Sequence, residues 1–126
     1  MSYVFYNPNP NNLRVGDCVV RALCKALNKE WETAYIEVAC QGLKYYDMPS
    51  ANYVWGSLLH EKGFRQYSIP SICPACMSVE TFAKEHPKGT YVLGCQSHVV
   101  TVVDGNIYDS WDSSEELVLF YWAKEE

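Results

Sequence analysis

The dipeptide Asp104-Gly105 constrains this chain most. It separates His98-Val99-Val100-Thr101-Val102-Val103 from Asn106-Ile107-Tyr108-Asp109. Two strand-like runs joined by those two residues predict a tight β-hairpin. Counting outwards gives the register: Val103 opposite Asn106, Val102 opposite Ile107, Thr101 opposite Tyr108, Val100 opposite Asp109. Thr90 to Cys95 and Leu117 to Trp122 read as two further strands, making an antiparallel sheet of about four.

Ahead of this sheet the apolar spacing is helical. A first helix is expected from near Asp17 or Cys18 to about Leu27. Gly16 allows a sharp entry, Asp17 caps the free amides and Asn28 stops the helix. A second covers about Trp31 to Gln41, with Trp31, Ala34, Tyr35, Val38 and Ala39 inward and Gly42 as its stop. A third follows Pro49-Ser50 and ends at Gly63. Residues 64–77 read as irregular, and a short helix, Val79 to Glu85, is capped by Ser78. The run Asn7-Pro8-Asn9-Pro10-Asn11-Asn12 cannot be helical and reads as an extended or looped approach. Helices first and strands afterwards describe one α+β domain over 1–126.

Composition narrows the class. The chain has 126 residues, a formal charge of −5 and no Lys/Arg cluster, which argues against a nucleic-acid partner. No apolar run is long enough to cross a membrane. The first residues have neither the basic nor the apolar region of a signal peptide, so a cytoplasmic location is expected. In that setting the six cysteines are expected to be free thiols: core filler, metal ligands or nucleophiles.

Three of the residues form a chemical constellation. Cys18 stands at a helix N-terminus, where unpaired amides and the dipole favour a thiolate. Position alone favours the plainer reading, a small buried thiol. His98 opens a strand after the break Gly94-Cys95-Gln96-Ser97, which suggests a place near a sheet edge facing a cleft. The hairpin register puts Asp109 diagonally across from His98 on the same face, within reach of the imidazole. Asp112 is the runner-up, opposite Ser97 on the other face. A thiol, a base and a carboxylate that orients the base make a nucleophilic triad.

The order of a Cys at a helix start, a His on a later strand and an Asp on its hairpin partner resembles the papain-like cysteine peptidase superfamily. The closest likeness is to small bacterial and phage-type members, including the branch that removes bacteriocin leader peptides. It is carried by Gly16-Asp17-Cys18-Val19-Val20-Arg21-Ala22-Leu23 and by Ser97 through Trp111. The order of elements matches over most of the chain, and the residue motifs match in these two blocks. The resemblance implies a papain-like fold and cleavage of a peptide or isopeptide bond through a thioester. The family places a Gln oxyanion donor six residues before the nucleophile. Asn12 stands there, a departure to a shorter arm, and the Cys18 amide is the second implied donor. Gln96 and Trp111, on either side of the proposed centre, are the expected substrate contacts. The partner is then a peptide or protein, with no cofactor.

The other thiols offer alternatives. Cys73-Pro74-Ala75-Cys76 is a single C-x-x-C pair, and with Cys95 and His86 it could hold a structural zinc. Cys24 and Cys40 read as core filler. The remaining loops, the Asn/Pro-rich start and the segment with Cys73 and Cys76, are expected to wall the cleft. The rival class is a non-enzymatic binding or inhibitor module that keeps the fold.

Overall fold

The Asp104-Gly105 turn forms as the sequence predicts. Both residues have positive φ, 50° and 80°, which matches the twist of a two-residue hairpin. The Asp104 carboxylate also accepts from the Gly89 amide at 2.9 Å, tying the turn to the start of the neighbouring strand. A computed structural model describes residues 3–70, 72 and 75–125.

Among the described residues the elements are β1 (Tyr3–Phe5), α1 (Cys18–Leu27), α2 (Trp31–Tyr45), α3 (Asn52–Glu61), β2 (Phe64–Ser68), α4 (Val79–Glu85), β3 (Thr90–Cys95), β4 (Val99–Val103), β5 (Asn106–Asp109) and β6 (Val118–Lys124). The class is α+β. The sheet has six strands in the order β1-β5-β4-β3-β6-β2 and is mixed, which corrects the expected four antiparallel strands. The additions are the two edges. β1 pairs parallel with β5, setting Phe5 beside Asp109, and β2 pairs antiparallel with β6. The segment read as irregular after Gly63 therefore begins with a strand.

Hydrophobic burial explains the layering. Val20, Leu23, Val38, Val54, Trp55 and Leu59 of α1–α3 pack on Val92, Val99 and Trp122. Val79, Phe82 and Ala83 of α4 pack on Leu93, Val100, Val102 and Val118 from the other side. The sheet is thus covered on both faces, and the short fourth helix does not join the first three.

Several local expectations change. Asp17 precedes α1, but its side chain makes no capping hydrogen bond. Gly42 does not end α2, which runs on to Tyr45 and stops at Tyr46 in the left-handed conformation. A Cβ at Gly42 would sit 2.6 Å from the Asp47 carbonyl, so this glycine lets the chain fold back over the helix. Tyr35 is 51% exposed, not inward. Cys24 is buried core, whereas Cys40 is exposed. Ser78 does cap α4, accepting from the Thr81 amide.

One tie holds α1 on the sheet, and another fixes two neighbouring strands within it. Thr101, fully buried in β4, donates to the Ala22 carbonyl of α1 at 2.7 Å. Gly94 of β3 lies under the Phe120 ring, which a Cβ there would overlap. The first tie holds the helix that begins at Cys18 against the strand that follows His98.

Candidate functional site

Cys18 is the first residue of α1, half-buried, with the His98 side chain close enough to act on its thiol. His98 is held by a tight turn, in which the Cys95 amide donates to the His98 carbonyl at 2.8 Å. That turn joins β3 to β4, so His98 stands at the end of a central strand and not at a sheet edge. The His98 Nε2 lies 2.6 Å from Asp109 Oδ2. Asp109 thus takes one ring nitrogen and leaves Nδ1 for the thiol.

Asp109 is fully buried, and its two oxygens have four donors or charged partners. Oδ2 receives His98 and the Ser113 hydroxyl, each at 2.6 Å. Oδ1 receives Arg21 Nε at 3.0 Å and the Ser110 amide at 2.7 Å. A carboxylate so satisfied can be buried without losing its charge. Arg21 continues the chain of charges. Its Nη1 donates to Asp17 Oδ1 at 2.6 Å, and Asp17 Oδ2 accepts from Trp31 Nε1 at 2.9 Å. This is why Asp17 does not cap α1: its carboxylate is committed to Arg21 and Trp31. The amides of the first turn of α1 are left without a side-chain cap, and the first-turn N–H groups have no carbonyl partner within the helix.

The electrostatics follow from these contacts. Burial pushes the Cys18 thiol up, but the His98 hydrogen bond, the Val99 amide and the positive charges of His98 and Arg21 outweigh it. The thiol is net lowered from the usual range. Burial pushes His98 down, yet its bonds to Asp109 and Cys18 and their negative charges raise it to about 9. Burial pushes Asp109 up, and His98, Ser113 and Arg21 bring it below the usual carboxylate value. These shifts all run toward thiolate, imidazolium and carboxylate in a row. Such a thiolate is a nucleophile, with a proton held next to it for a leaving group.

Cys18 and His98 border two cavities. One, of about 390 Å³, is walled by Arg14, Val15, Gly16, Ser110 and Trp111. The other, of about 240 Å³, is walled by Ser50, Asn52, Cys95, Gln96 and Val99. Trp111 borders the first cavity and Gln96 the second. Trp111 is half-exposed, with its ring 4.6 Å from that of His98 and tilted 48°. Gln96 is exposed and reaches the second cavity.

The structure does not bring Asn12 to the thiol. Asn12 is exposed, has a φ of 57° and borders neither cavity, with only its amide tied back to the Asn9 carbonyl. Asp112 is likewise exposed and accepts from the Ser114 amide, apart from His98. The cleft walls come from Arg14–Gly16, Ser50, Asn52, Gln96 and Trp111, not from the Asn/Pro run. Cys76 is disulfide-bonded, so the expectation of free thiols fails there. The rest of the Cys73-Pro74-Ala75-Cys76 expectation, with its zinc alternative, falls on Cys73 and Pro74, outside the described residues. Among the described residues no group of three or more His, Cys, Asp or Glu is placed to hold a metal.

Sequence reasoning missed Arg21, Asp17 and Ser113 as members of this network. Arg21 did carry a signal. It is a single cation inside the apolar run Val19-Val20-Arg21-Ala22-Leu23, one turn beyond Cys18. No family model, curated protein or solved structure matches this chain.

Proposed function

We propose that this chain is a cysteine-dependent hydrolase of papain-like type, cleaving a peptide or isopeptide bond through Cys18, His98 and Asp109. The observation that carries this reading is the row of Cys18, His98 and Asp109, with His98 bonded to Asp109 and bordering two cavities together with Cys18. In the reading, the Cys18 thiolate attacks the carbonyl carbon of the scissile bond. The first-turn amides of α1, Cys18's own among them, face the oxyanion, and such a donor is worth about 3–4 kcal/mol. As the C–N bond breaks, the His98 proton passes to the leaving amine, leaving a thioester on Cys18. Water, deprotonated by His98, then attacks the thioester and releases the acid and the thiol. Asp109 keeps the imidazole in one orientation throughout.

Two measurements test this. Cys18 is expected to react with iodoacetamide near neutral pH at least tenfold faster than Cys24 or Cys40. A panel of peptide, isopeptide and thioester substrates should be turned over by the native sequence and not by Cys18→Ala. Equal reactivity of the thiols, or turnover surviving in Cys18→Ala, would defeat the reading.

A further inference from the structure

We infer that the cavity between Arg14 and Trp111 is a carboxylate-binding subsite, so that the substrate of Cys18 carries a carboxylate beside the bond it presents. This rests on the thiol reading above and adds the chemistry of what is recognised.

Three observations converge on it. Arg21 is only 5% exposed and borders this cavity. Its Nε and Nη1 are committed to Asp109 and Asp17, whereas Nη2 has no partner among the described residues and is not sealed in the interior. A buried guanidinium on the wall of this cavity thus keeps one N–H₂ group without a partner among the described residues. Arg14 stands on the same wall. Its Nη1 donates to the Ser110 carbonyl at 3.3 Å, and its guanidinium lies 5.3 Å from the centre of the Phe5 ring, so it is positioned before any ligand arrives. No carboxylate among the described residues lies within ion-pair distance of it. Arg21 is matched by its two aspartates, so the uncompensated charge is Arg14's, and Arg21 adds directed donors.

The cavity itself fits a small anion. No Asp or Glu among the described residues borders it, and the space over Gly16 is empty to 4 Å from where a Cβ would stand. The opposite end of the cleft has the other sign. Gln96 also borders a cavity of about 610 Å³ that is walled by Glu115 and Glu116. In a chain of net charge −5, a cation-lined pocket next to the thiol and a glutamate-lined one beyond Gln96 orient a substrate with its carboxylate toward Arg14. Guanidinium groups suit this task because their planar N–H edges match a carboxylate.

The probe is a pair of alkylating reagents, iodoacetate and iodoacetamide, which form the same S–C bond with loss of iodide but differ by one carboxylate. Their rate ratio at Cys18 divides out the reactivity of the thiolate. Arg14→Gln is expected to lower the iodoacetate-to-iodoacetamide ratio about three- to tenfold, with Arg14→Lys retaining most of it. A ratio unmoved by Arg14→Gln overturns the subsite. If Cys18 of the native sequence reacts with iodoacetamide no faster than Cys24 or Cys40, the thiol reading itself falls and takes the subsite with it. Two further reagents identify where the carboxylate is carried. Bromoacetyl-aspartyl amide bears it on a side chain, and bromoacetyl-alanine bears it at the C-terminus. Faster labelling of Cys18 by either than by neutral bromoacetyl-alaninamide supports the subsite and names the source. No preference for either overturns it.

Discussion

At the scale of single residues, Asp109 decides the most. Among the described residues it is the one group bonded to both His98 and Arg21, and all of its side-chain bonds are buried. Asp109→Asn keeps the shape but removes the charge that holds the imidazolium. Its amide nitrogen cannot accept, so either the His98 or the Arg21 side loses an acceptor. Turnover is expected to fall about 10²- to 10⁴-fold, read as kcat/KM on whichever panel substrate the native sequence cleaves. The pH dependence of stability gives a second test at this scale. His98 is raised from 6.5 to about 9, so alone it stabilises the fold fully below pH 6.5 and loses that gain as pH rises through 9. Cys18 is lowered from 9.0, so alone its gain is full above pH 9 and shrinks as pH falls. Just below pH 9 the two slopes oppose, because His98 loses its gain there while Cys18 is still acquiring its own. Stability of the native sequence should therefore fall less steeply there than His98 alone would make it. In Cys18→Ala only the His98 slope remains, and the urea midpoint should decline as pH rises from 6.5. A flat profile in Cys18→Ala would show that His98 is not raised by Asp109.

At the scale of elements, the site depends on how α1 sits on β4. Thr101 provides the buried hydrogen bond between them. Thr101→Val keeps the volume and removes the donor, while the Ala22 carbonyl retains its place in the helix. The expected loss is about 1 kcal/mol of unfolding free energy, measured by urea titration, with faster amide exchange in α1. A larger loss would mean that the helix shifts when untied. The same junction separates what the sequence told from what it hid. The ends of α1, the α4 cap and the pairing of Thr101, Val102 and Val103 with β5 were legible, because capping, turn chemistry and period are local. The place of Asp109 beside His98 was also legible, since it follows from the same two-residue turn. The partnership of Arg21 with Asp109 was not. It joins positions 88 residues apart, and only the packing of a helix on a sheet brings them together. Asp17 reads locally as a cap, and a distant cation and an indole outcompete that use.

At the scale of the whole molecule, the hidden parts are the edges of the sheet. β2, Phe64-Arg65-Gln66-Tyr67-Ser68, buries only its first residue, so it shows no alternation for a pattern to reveal. β1 is three residues long, below what any periodicity can register. Yet β1 bears directly on the chemistry. Phe5 is paired with Asp109, and the Tyr6 amide donates to the Asp109 carbonyl at 2.7 Å. Without β1, β5 becomes an edge, and the backbone that carries the orienting carboxylate loses its outer neighbour. Phe5 also supports Arg14. A chain shortened to begin at Asn7 lacks none of Cys18, His98 or Asp109, so a site made only of those three would be untouched. The integrated sheet predicts otherwise: a lower urea midpoint and slower alkylation of Cys18 by iodoacetamide at pH 6, where the thiolate depends most on an intact imidazolium. Restoring residues 1–6 as a separate peptide should recover part of both, because parallel pairing with β5 needs no covalent link. If the shortened chain alkylates as fast as the full one at pH 6, Asp109 is held by Arg21, Ser110 and Ser113 alone, and β1 serves only to close the sheet.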